Sequence, residues 1–279
     1  MVKRLPPAVK QLLTLRNPSS LPGPPVSKLY GVLGSTFADA KRRKAETGWL
    51  VLSTCTLLTA NRPSTVGQLY HFATRTDPND VITRRNQPEA LNKAALMRES
   101  ALKSMIFTGV PRTIIALASL TDALEDDVKG NLRTESHRTA TPENIDATLA
   151  RGMNLWNSIY EPHAKKLHDK LGSYHPDFIS FIIQAYGSVL APLPGDNEQG
   201  NLSRALGSVV GIACLRAEGR VGAQLTSHVF GLLKARNVED LSEEDKWLSS
   251  DEGTEWVIRT VDSLLDVVQP EEAQAAVKL

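Results

Sequence analysis

The amino-acid sequence predicts an all-α fold. Nearly every segment places its apolar residues at the helical period of 3.6, and alternating strand patterns are almost absent. Proline, glycine and capping residues recur between these segments, where helices begin and end. Because helices bury their apolar stripes against one another, such a chain is expected to fold as packed helices without a sheet.

In the first half, an irregular arm at residues 1–25 precedes the predicted helices. The stretch 49–60 is apolar and of helix length, although its β-branched residues leave a strand open. Ser64 or Thr65 is expected to cap the helix that follows it. The stretches predicted as helices in this half are, in order, 26–39, 49–60, 64–71, 88–107 and 113–124.

The second half follows a polar stretch, 125–141, which we interpret as a linker. Thr141, Pro142 and Glu143 form a strong helix start, and Asp177 and Ser203 are expected to cap later helices. We expect the first long helix of this half to break near its glycine at position 152. The predicted helical stretches are 143–171, 177–190, 203–217, 221–237 and 254–268, followed by a loose tail at 269–279.

These halves, 26–124 and 142–268, carry the same order of features, which suggests two degenerate repeats. In each, an apolar helix with that half's one cysteine precedes a histidine. A later helix then carries a glutamate and a base four residues on, the spacing of a surface ion pair. These pairs are Glu99 with Lys103 and Glu255 with Arg259. Chance similarity between amphipathic helices is the alternative.

The composition is that of an ordinary globular protein. The 279 residues are 41% hydrophobic and 23% charged, and the net charge is +1. A charge so close to zero argues against bulk electrostatic binding to nucleic acid or an anionic membrane. The longest apolar runs fall short of a bilayer span. We therefore expect neither a nucleic-acid partner nor a membrane.

Cysteine and histidine are sparse. Cys55 and Cys214 are the only cysteines, and neither lies in a CxxC pair. Cys214 is in an apolar run, where burial is favoured over a nucleophilic role. The six histidines have no zinc spacing, and no metal or other cofactor is expected. This pattern is typical of a reduced intracellular protein.

The termini carry incomplete targeting signals. The first 38 residues have five lysines and arginines and no acid, as mitochondrial import segments do, but six prolines interrupt any helix there. A cytoplasmic location is therefore expected, with a mitochondrial one as the alternative. The last three residues, Val277-Lys278-Leu279, lack the serine of the peroxisomal Ser-Lys-Leu address, so a peroxisomal location is the weaker alternative.

Residues 201–237 are the stretch around which a site is predicted. They form two helices joined by a turn at 218–220, and the second helix carries His228 among apolar and small residues. An imidazole suits proton transfer at a carbon beside a carbonyl, or protonation of the carbanion that decarboxylation leaves. The alternative is a structural histidine that hydrogen-bonds a neighbouring helix.

Three motifs in this order resemble the carboxymuconolactone decarboxylase and AhpD-like superfamily. The first looks like that family's acidic helix and its Gly-Val-Pro turn, the second like its histidine helix, and the third like the turn and acidic helix start that follow. They read ESALK…FTGVP at 99–111, QLTSHVFGL at 224–232 and ARNVEDL at 235–241. With the repeat, the resemblance spans about residues 26–268.

The resemblance implies an all-helical protein that assembles into oligomers, with sites often completed between subunits. Some members decarboxylate a muconolactone carboxylate, and others are peroxide-defence proteins that use a CxxC pair. Here the two cysteine positions fall on Val221 and Gln224, and the place of the helper glutamate falls near Val209 or Val210. Because disulfide exchange needs a dithiol, the peroxidase mechanism is rejected.

We therefore expect a cofactor-independent lyase or isomerase, with His228 and Glu99 as the catalytic candidates. Arg216 or Arg220 would orient a substrate carboxylate, as an arginine fork does, with solvated turn residues as the alternative and Arg204 as a similar candidate. Tyr160 and His163 share a helix face and could line a pocket with His228, although packing aromatics are the alternative. The surface ion pair with Lys103 is the alternative for Glu99.

The expected partners are a small-molecule substrate and a second or third copy of the chain, as dimer or trimer. The competing hypothesis is a non-catalytic relative that keeps the fold for oligomerisation or interaction.

Overall fold

A computed structural model describes residues 4–15, 19–195 and 199–270. These residues form fourteen α-helices and no β-strand, only a single isolated bridge, so the all-α prediction is confirmed. The helices are α1 Pro7–Leu12, α2 Val26–Arg43, α3 Glu46–Thr59, α4 Pro63–Thr74, α5 Gln87–Thr108, α6 Val110–Ala123, α7 Asp126–Lys129, α8 Ile145–Tyr160, α9 Ala164–Tyr174, α10 Phe178–Ala185, α11 Arg204–Glu218, α12 Gly222–Ala235, α13 Glu243–Leu248 and α14 Asp251–Val268. A 3₁₀ turn occupies Val81–Thr83, and a π-helical segment, Tyr186–Leu190, continues α10. The peroxisomal-like tripeptide and most of the predicted tail lie outside the described residues.

Helices α3 and α11 form the centre of the main core. They pack against each other, and α5 and α14 pack against both of them. Every residue of α3 from Gly48 to Thr59 is buried, which explains why its sequence is apolar around the whole helix. Helix α4 packs on α3 and α6, α12 packs on α11, and α2 packs on α14. Each predicted half therefore supplies one central helix and its neighbours to a shared core, while the division into repeats stays a prediction.

A smaller core of apolar residues lies between α8, α10 and the π-helical segment, with Trp156, Ile159 and Tyr186 among its buried members. The expected break near Gly152 is wrong, because α8 runs through it and ends at Tyr160. The glycine is needed for helix crossing: a Cβ there would lie 2.1 Å from the carbonyl oxygen of Ile183. The chain instead breaks between α8 and α9.

The capping predictions have mixed outcomes. The Oγ atom of Ser203 accepts from the backbone N–H of Leu206 at 3.1 Å, as predicted for the start of α11. Helix α4 has no side-chain cap and begins at Pro63, before the expected serine or threonine. Asp177 makes no side-chain capping bond to α10. Pro63 in the first turn of α4 removes one of the N–H groups that would otherwise lack a partner there.

Among the described helices, none combines the length and the apolar composition that crossing a bilayer requires.

Candidate functional site

His228 is buried in α12, against the backbone of α11. Only 3% of its surface is exposed. The ring lies so close to Gly211 of α11 that a Cβ on this glycine would be 2.6 Å from Nδ1. Phe107 of α5 contacts the imidazole edge to face, with ring centroids 5.1 Å apart. Three helices therefore fix the ring, and its position depends on the absence of a side chain at position 211.

A small cavity, which we call the inner cavity, adjoins His228. Its volume is about 10 Å³, and its polar lining residues are Arg204, Ser208 and His228. The remaining lining is apolar, with Ile159 of α8 and Leu190 of the π-helical segment on its walls. A space of this size holds about one water molecule. The inner cavity is therefore too small for an organic substrate in this conformation.

Arg204 joins the three helices around the inner cavity. Its Nε donates to Ser158 Oγ of α8 at 2.9 Å, its Nη2 donates to the carbonyl oxygen of Gly231 of α12 at 3.1 Å, and its Nη1 donates to Ser208 Oγ of α11. A guanidinium has five N–H groups, so three bonds leave two of them for a further acceptor. In the part of the chain that the structure describes, no carboxylate ion-pairs with Arg204. Arg204 is thus a mostly buried cation without a counter-charge.

The electrostatics of this pair favour a neutral imidazole. Burial, and then the nearby Arg204 charge, lower the pKa of His228 to about 4. Burial lowers the pKa of Arg204 to about 10, so the guanidinium is still charged at neutral pH. No described residue hydrogen-bonds to Nδ1 of His228, which is fully buried. A neutral base thus lies beside a cation, and an anion entering the inner cavity would meet both.

A second, larger pocket lies on the other side of Ile159. This outer pocket, between α8, α9 and α12, has a volume of about 250 Å³ and is lined by Tyr160 and His163, as well as by Ser227, the neighbour of His228. The structure therefore brings Tyr160 and His163 together at this pocket, with Ile159 between them and the His228 cavity. The prediction that they share a helix face is wrong, because Tyr160 is the last residue of α8 and His163 lies in the turn before α9. Tyr160 also packs in the smaller core, because its ring lies 4.2 Å from that of Trp156.

Arg216 and Arg220 line neither cavity. Arg216 makes a two-pronged ion pair with Asp262 of α14, at 2.7 and 2.9 Å. Arg220 is exposed in the turn after α11, with a φ of 58°. Their substrate-binding roles stay predictions, while Arg204 is the cation beside His228.

Glu99 lies in a different buried cluster, on α5. The alternative ion pair of Glu99 with Lys103 forms, but it is buried and not at the surface, since Glu99 is 5% exposed and Lys103 is 0% exposed. Lys103 lies 3.4 Å from Glu99, and its Nζ also donates to the carbonyl oxygens of Val189, Leu190 and Ala191, each at 2.9 Å. Burial lowers the pKa of Lys103 to about 8, and Glu99 opposes that shift.

Arg138, from the predicted linker, completes this cluster. Its Nη2 donates to the Glu99 carboxylate and its Nε donates to the carbonyl oxygen of Ser188 at 2.8 Å. The corresponding pair in the second half, Glu255 with Arg259, is exposed, as expected of a surface pair. The difference arises because the π-helical segment covers α5 at Lys103. Glu99 does not line the inner cavity.

From the sequence, Arg204 was only a secondary candidate for binding a carboxylate, and the contacts of Lys103 and Arg138 were not predicted. Arg204 is the first residue of the apolar helix α11, and Ser208 follows one turn later. A charged residue in this position was the available signal for an arginine that faces the interior. Arg138 had no such signal, because its stretch is polar and irregular. Cys55 and Cys214 are free and buried, so the expected burial of Cys214 is confirmed.

Across residues 4–15, 19–195 and 199–270, no three histidine, cysteine, aspartate or glutamate side chains form a set that could hold a metal ion. The chain matches no protein-family profile, and comparisons with curated proteins and with solved structures return no match either.

Proposed function

We propose that this chain is a carboxymuconolactone decarboxylase-like, cofactor-independent lyase or isomerase that acts on a small carboxylated molecule by acid–base chemistry. One observation carries the proposal: neutral His228 and the uncompensated guanidinium of Arg204 line the same inner cavity. The three sequence motifs that resemble the family, of which one contains His228, support the same reaction class.

In the proposed reaction, Arg204 binds the negative charge and His228 moves the proton. The imidazole takes a proton from the carbon beside a carbonyl, and the C–H electron pair forms an enolate whose oxygen accepts hydrogen bonds from Arg204. Returning that proton to another carbon completes an isomerisation. In a decarboxylation, the C–C pair stays on the substrate as CO₂ leaves, and the imidazole transfers a proton from water to that carbon. Neither route needs an oxidant or a reductant.

The protonation state of His228 favours the role of base. A group with a pKa of about 4 is neutral at pH 7 and can accept a proton without first losing one. Burial is the main cause of this low pKa, and the Arg204 charge adds to it, so an anion bound at Arg204 offsets the second cause and makes the imidazole more basic when substrate is present.

In this proposal, a movement of Ile159 gives the substrate access to His228. This side chain lines both the inner cavity and the outer pocket. In the proposed reaction, a rotation of this side chain joins the two spaces and gives a substrate in the outer pocket a path to the imidazole.

The test is solvent proton exchange, because it requires no knowledge of the natural substrate. Wild-type protein is incubated in D₂O with a panel of 2-oxo acids, 3-oxo acids and unsaturated lactone carboxylates, and NMR detects deuterium on carbon and loss of CO₂. We expect exchange with at least one compound, and a fall of at least 100-fold in His228→Asn and Arg204→Gln. Absence of exchange from a folded wild-type protein across the panel would overturn the proposal in favour of an interaction module.

Two matched variants sharpen the assignment. Arg259→Gln removes an exposed arginine that is paired with Glu255, and it should keep wild-type exchange. Arg216→Gln compares the sequence-predicted cation with Arg204: exchange kept in Arg216→Gln and lost in Arg204→Gln supports the inner cavity, and the reverse result contradicts it. Circular dichroism and urea unfolding of each variant separate loss of chemistry from loss of fold.

A further inference from the structure

The outer pocket has a one-sided charge. Its lining includes three lysines and a histidine, Lys166, Lys170, Lys234 and His163, and no aspartate or glutamate among the described residues. The chain as a whole is nearly neutral, with a net charge of +1. The positive charge at this pocket is therefore a local feature of α9 and α12.

Two of these lysines have no ion-pair partner among the described residues. Lys166 and Lys170, both exposed on α9, ion-pair with no carboxylate in the described part of the chain. The adjacent acid on this helix, Asp169, is already paired with Lys165 at 3.0 Å. Lys234 is engaged differently, since its Nζ donates to the carbonyl oxygens of Ile159 at 2.6 Å and Glu161 at 2.7 Å. Lys166 and Lys170 thus supply uncompensated charge, while Lys234 ties α12 to the end of α8.

The rest of the outer pocket is apolar and partly preformed. Phe230 of α12 leaves 55% of its surface exposed beside this pocket, and Ile159 and Leu167 add aliphatic walls. The phenol of Tyr160 is held by a hydrogen bond of 3.0 Å to the hydroxyl of Tyr186. An exposed phenylalanine next to unpaired lysines suits a ligand that carries both an apolar body and a negative charge.

We infer that the outer pocket binds a small aromatic acid, with its carboxylate at Lys166 and Lys170 and its ring against Phe230, Ile159 and Leu167. The volume of about 250 Å³ is below the roughly 300–1,000 Å³ typical of small-molecule sites, which favours a single ring over a larger ligand. The inference rests on the proposed function in one respect only, namely that the aromatic acid is the substrate of the reaction at His228. Binding itself requires no catalysis at His228.

Three probes separate charge from apolar contact. Isothermal titration calorimetry and saturation-transfer NMR are run with phenylacetate, with benzyl alcohol as a neutral aromatic compound and with inorganic phosphate as an anion without a ring. We expect phenylacetate to bind at least ten-fold more tightly than either of the other two. Equal binding of phenylacetate and benzyl alcohol, or of phenylacetate and phosphate, would overturn the inference.

Lysine-to-glutamine changes inside and outside the outer pocket provide a matched set of variants. Lys166→Gln and Lys170→Gln should each weaken phenylacetate binding at least five-fold. Lys28→Gln, the same change at an exposed lysine of α2 that ion-pairs with no described carboxylate, should leave it unchanged. Phe230→Ala should weaken binding of phenylacetate more than binding of phosphate. If Lys28→Gln weakens binding as much as Lys166→Gln, the attraction is diffuse and there is no site.

His228→Asn distinguishes this inference from the proposed reaction. If His228→Asn binds phenylacetate like the wild type but no longer catalyses proton exchange, both the aromatic-acid site and the proposed reaction are supported. If the wild type binds phenylacetate but catalyses no proton exchange, the outer pocket is still supported as a binding site and the proposed reaction is contradicted. If the wild type catalyses proton exchange but does not bind phenylacetate, the proposed reaction is still supported and the outer pocket is contradicted as its substrate site.

Discussion

The imidazole of His228 lies against Gly211, where a Cβ atom would come within 2.6 Å of Nδ1. Both positions are buried between α11 and α12, so neither helix can shift without disturbing the main core. We expect Gly211→Ala to destabilise the protein by about 1–3 kcal/mol through overpacking, measured as a lower urea midpoint.

Gly34→Ala is the control for that substitution. Gly34 is in α2, and a Cβ atom added to it would meet nothing within 4 Å, so alanine there should stabilise the helix by about 0.5–1 kcal/mol. Adding His228→Ala to Gly211→Ala should cost less than the sum of the two single changes, because it removes the clash. Strict additivity would show that the two residues do not interact.

Lys103 should be among the residues most sensitive to substitution. Lys103→Gln removes the cation that faces Glu99 and three carbonyl oxygens. Arg138 still pairs with Glu99, so the cost comes mainly from the buried carbonyl oxygens that lose their donor, and it is at least about 1–3 kcal/mol. Chemical unfolding should show that loss. Arg259→Gln, which breaks the exposed pair in α14, should change stability by less than about 0.5 kcal/mol. Equal effects would mean that burial does not distinguish these pairs.

Stability should depend on pH through His228. Its pKa falls from 6.5 to about 4 on folding, so the unfolded chain binds more protons between these values and stability is lost as pH falls through this window. Between pH 7 and pH 5, the contribution lost is roughly 2 kcal/mol. Urea unfolding over this range should therefore show a shallower pH dependence for His228→Asn than for the wild type, while carboxylates contribute equally to both. Identical slopes would argue against a buried neutral imidazole.

The two cysteines should be silent in the native protein. Both Cys55 and Cys214 are free and fully buried, and burial raises the pKa of the Cys55 thiol well above its usual value. A thiol-reactive chromophore should label neither residue in native conditions and both in denaturant. Rapid labelling of the native protein would contradict the buried position of these helices.

The all-α class could be predicted from the sequence because apolar spacing, prolines and capping residues are local signals. Ser203 shows this well, since its capping bond needs only the backbone N–H of Leu206, three residues away. Gly152 shows the limit of such reasoning. A glycine inside a helix predicts a break, but here it permits a close crossing with the π-helical segment. The residues next to Gly152 in the sequence do not indicate which segment will pack against it.

For the candidate site, the amino-acid order alone established that His228 lies on an apolar helix and that no CxxC pair accompanies it. The packing of the helices made Arg204 the cation beside this histidine and paired Arg216 with Asp262. It also buried Glu99 and Lys103 while leaving Glu255 and Arg259 exposed. The physical reason is that periodicity places a side chain on a face of its own helix, whereas burial and pairing depend on which other helix covers that face.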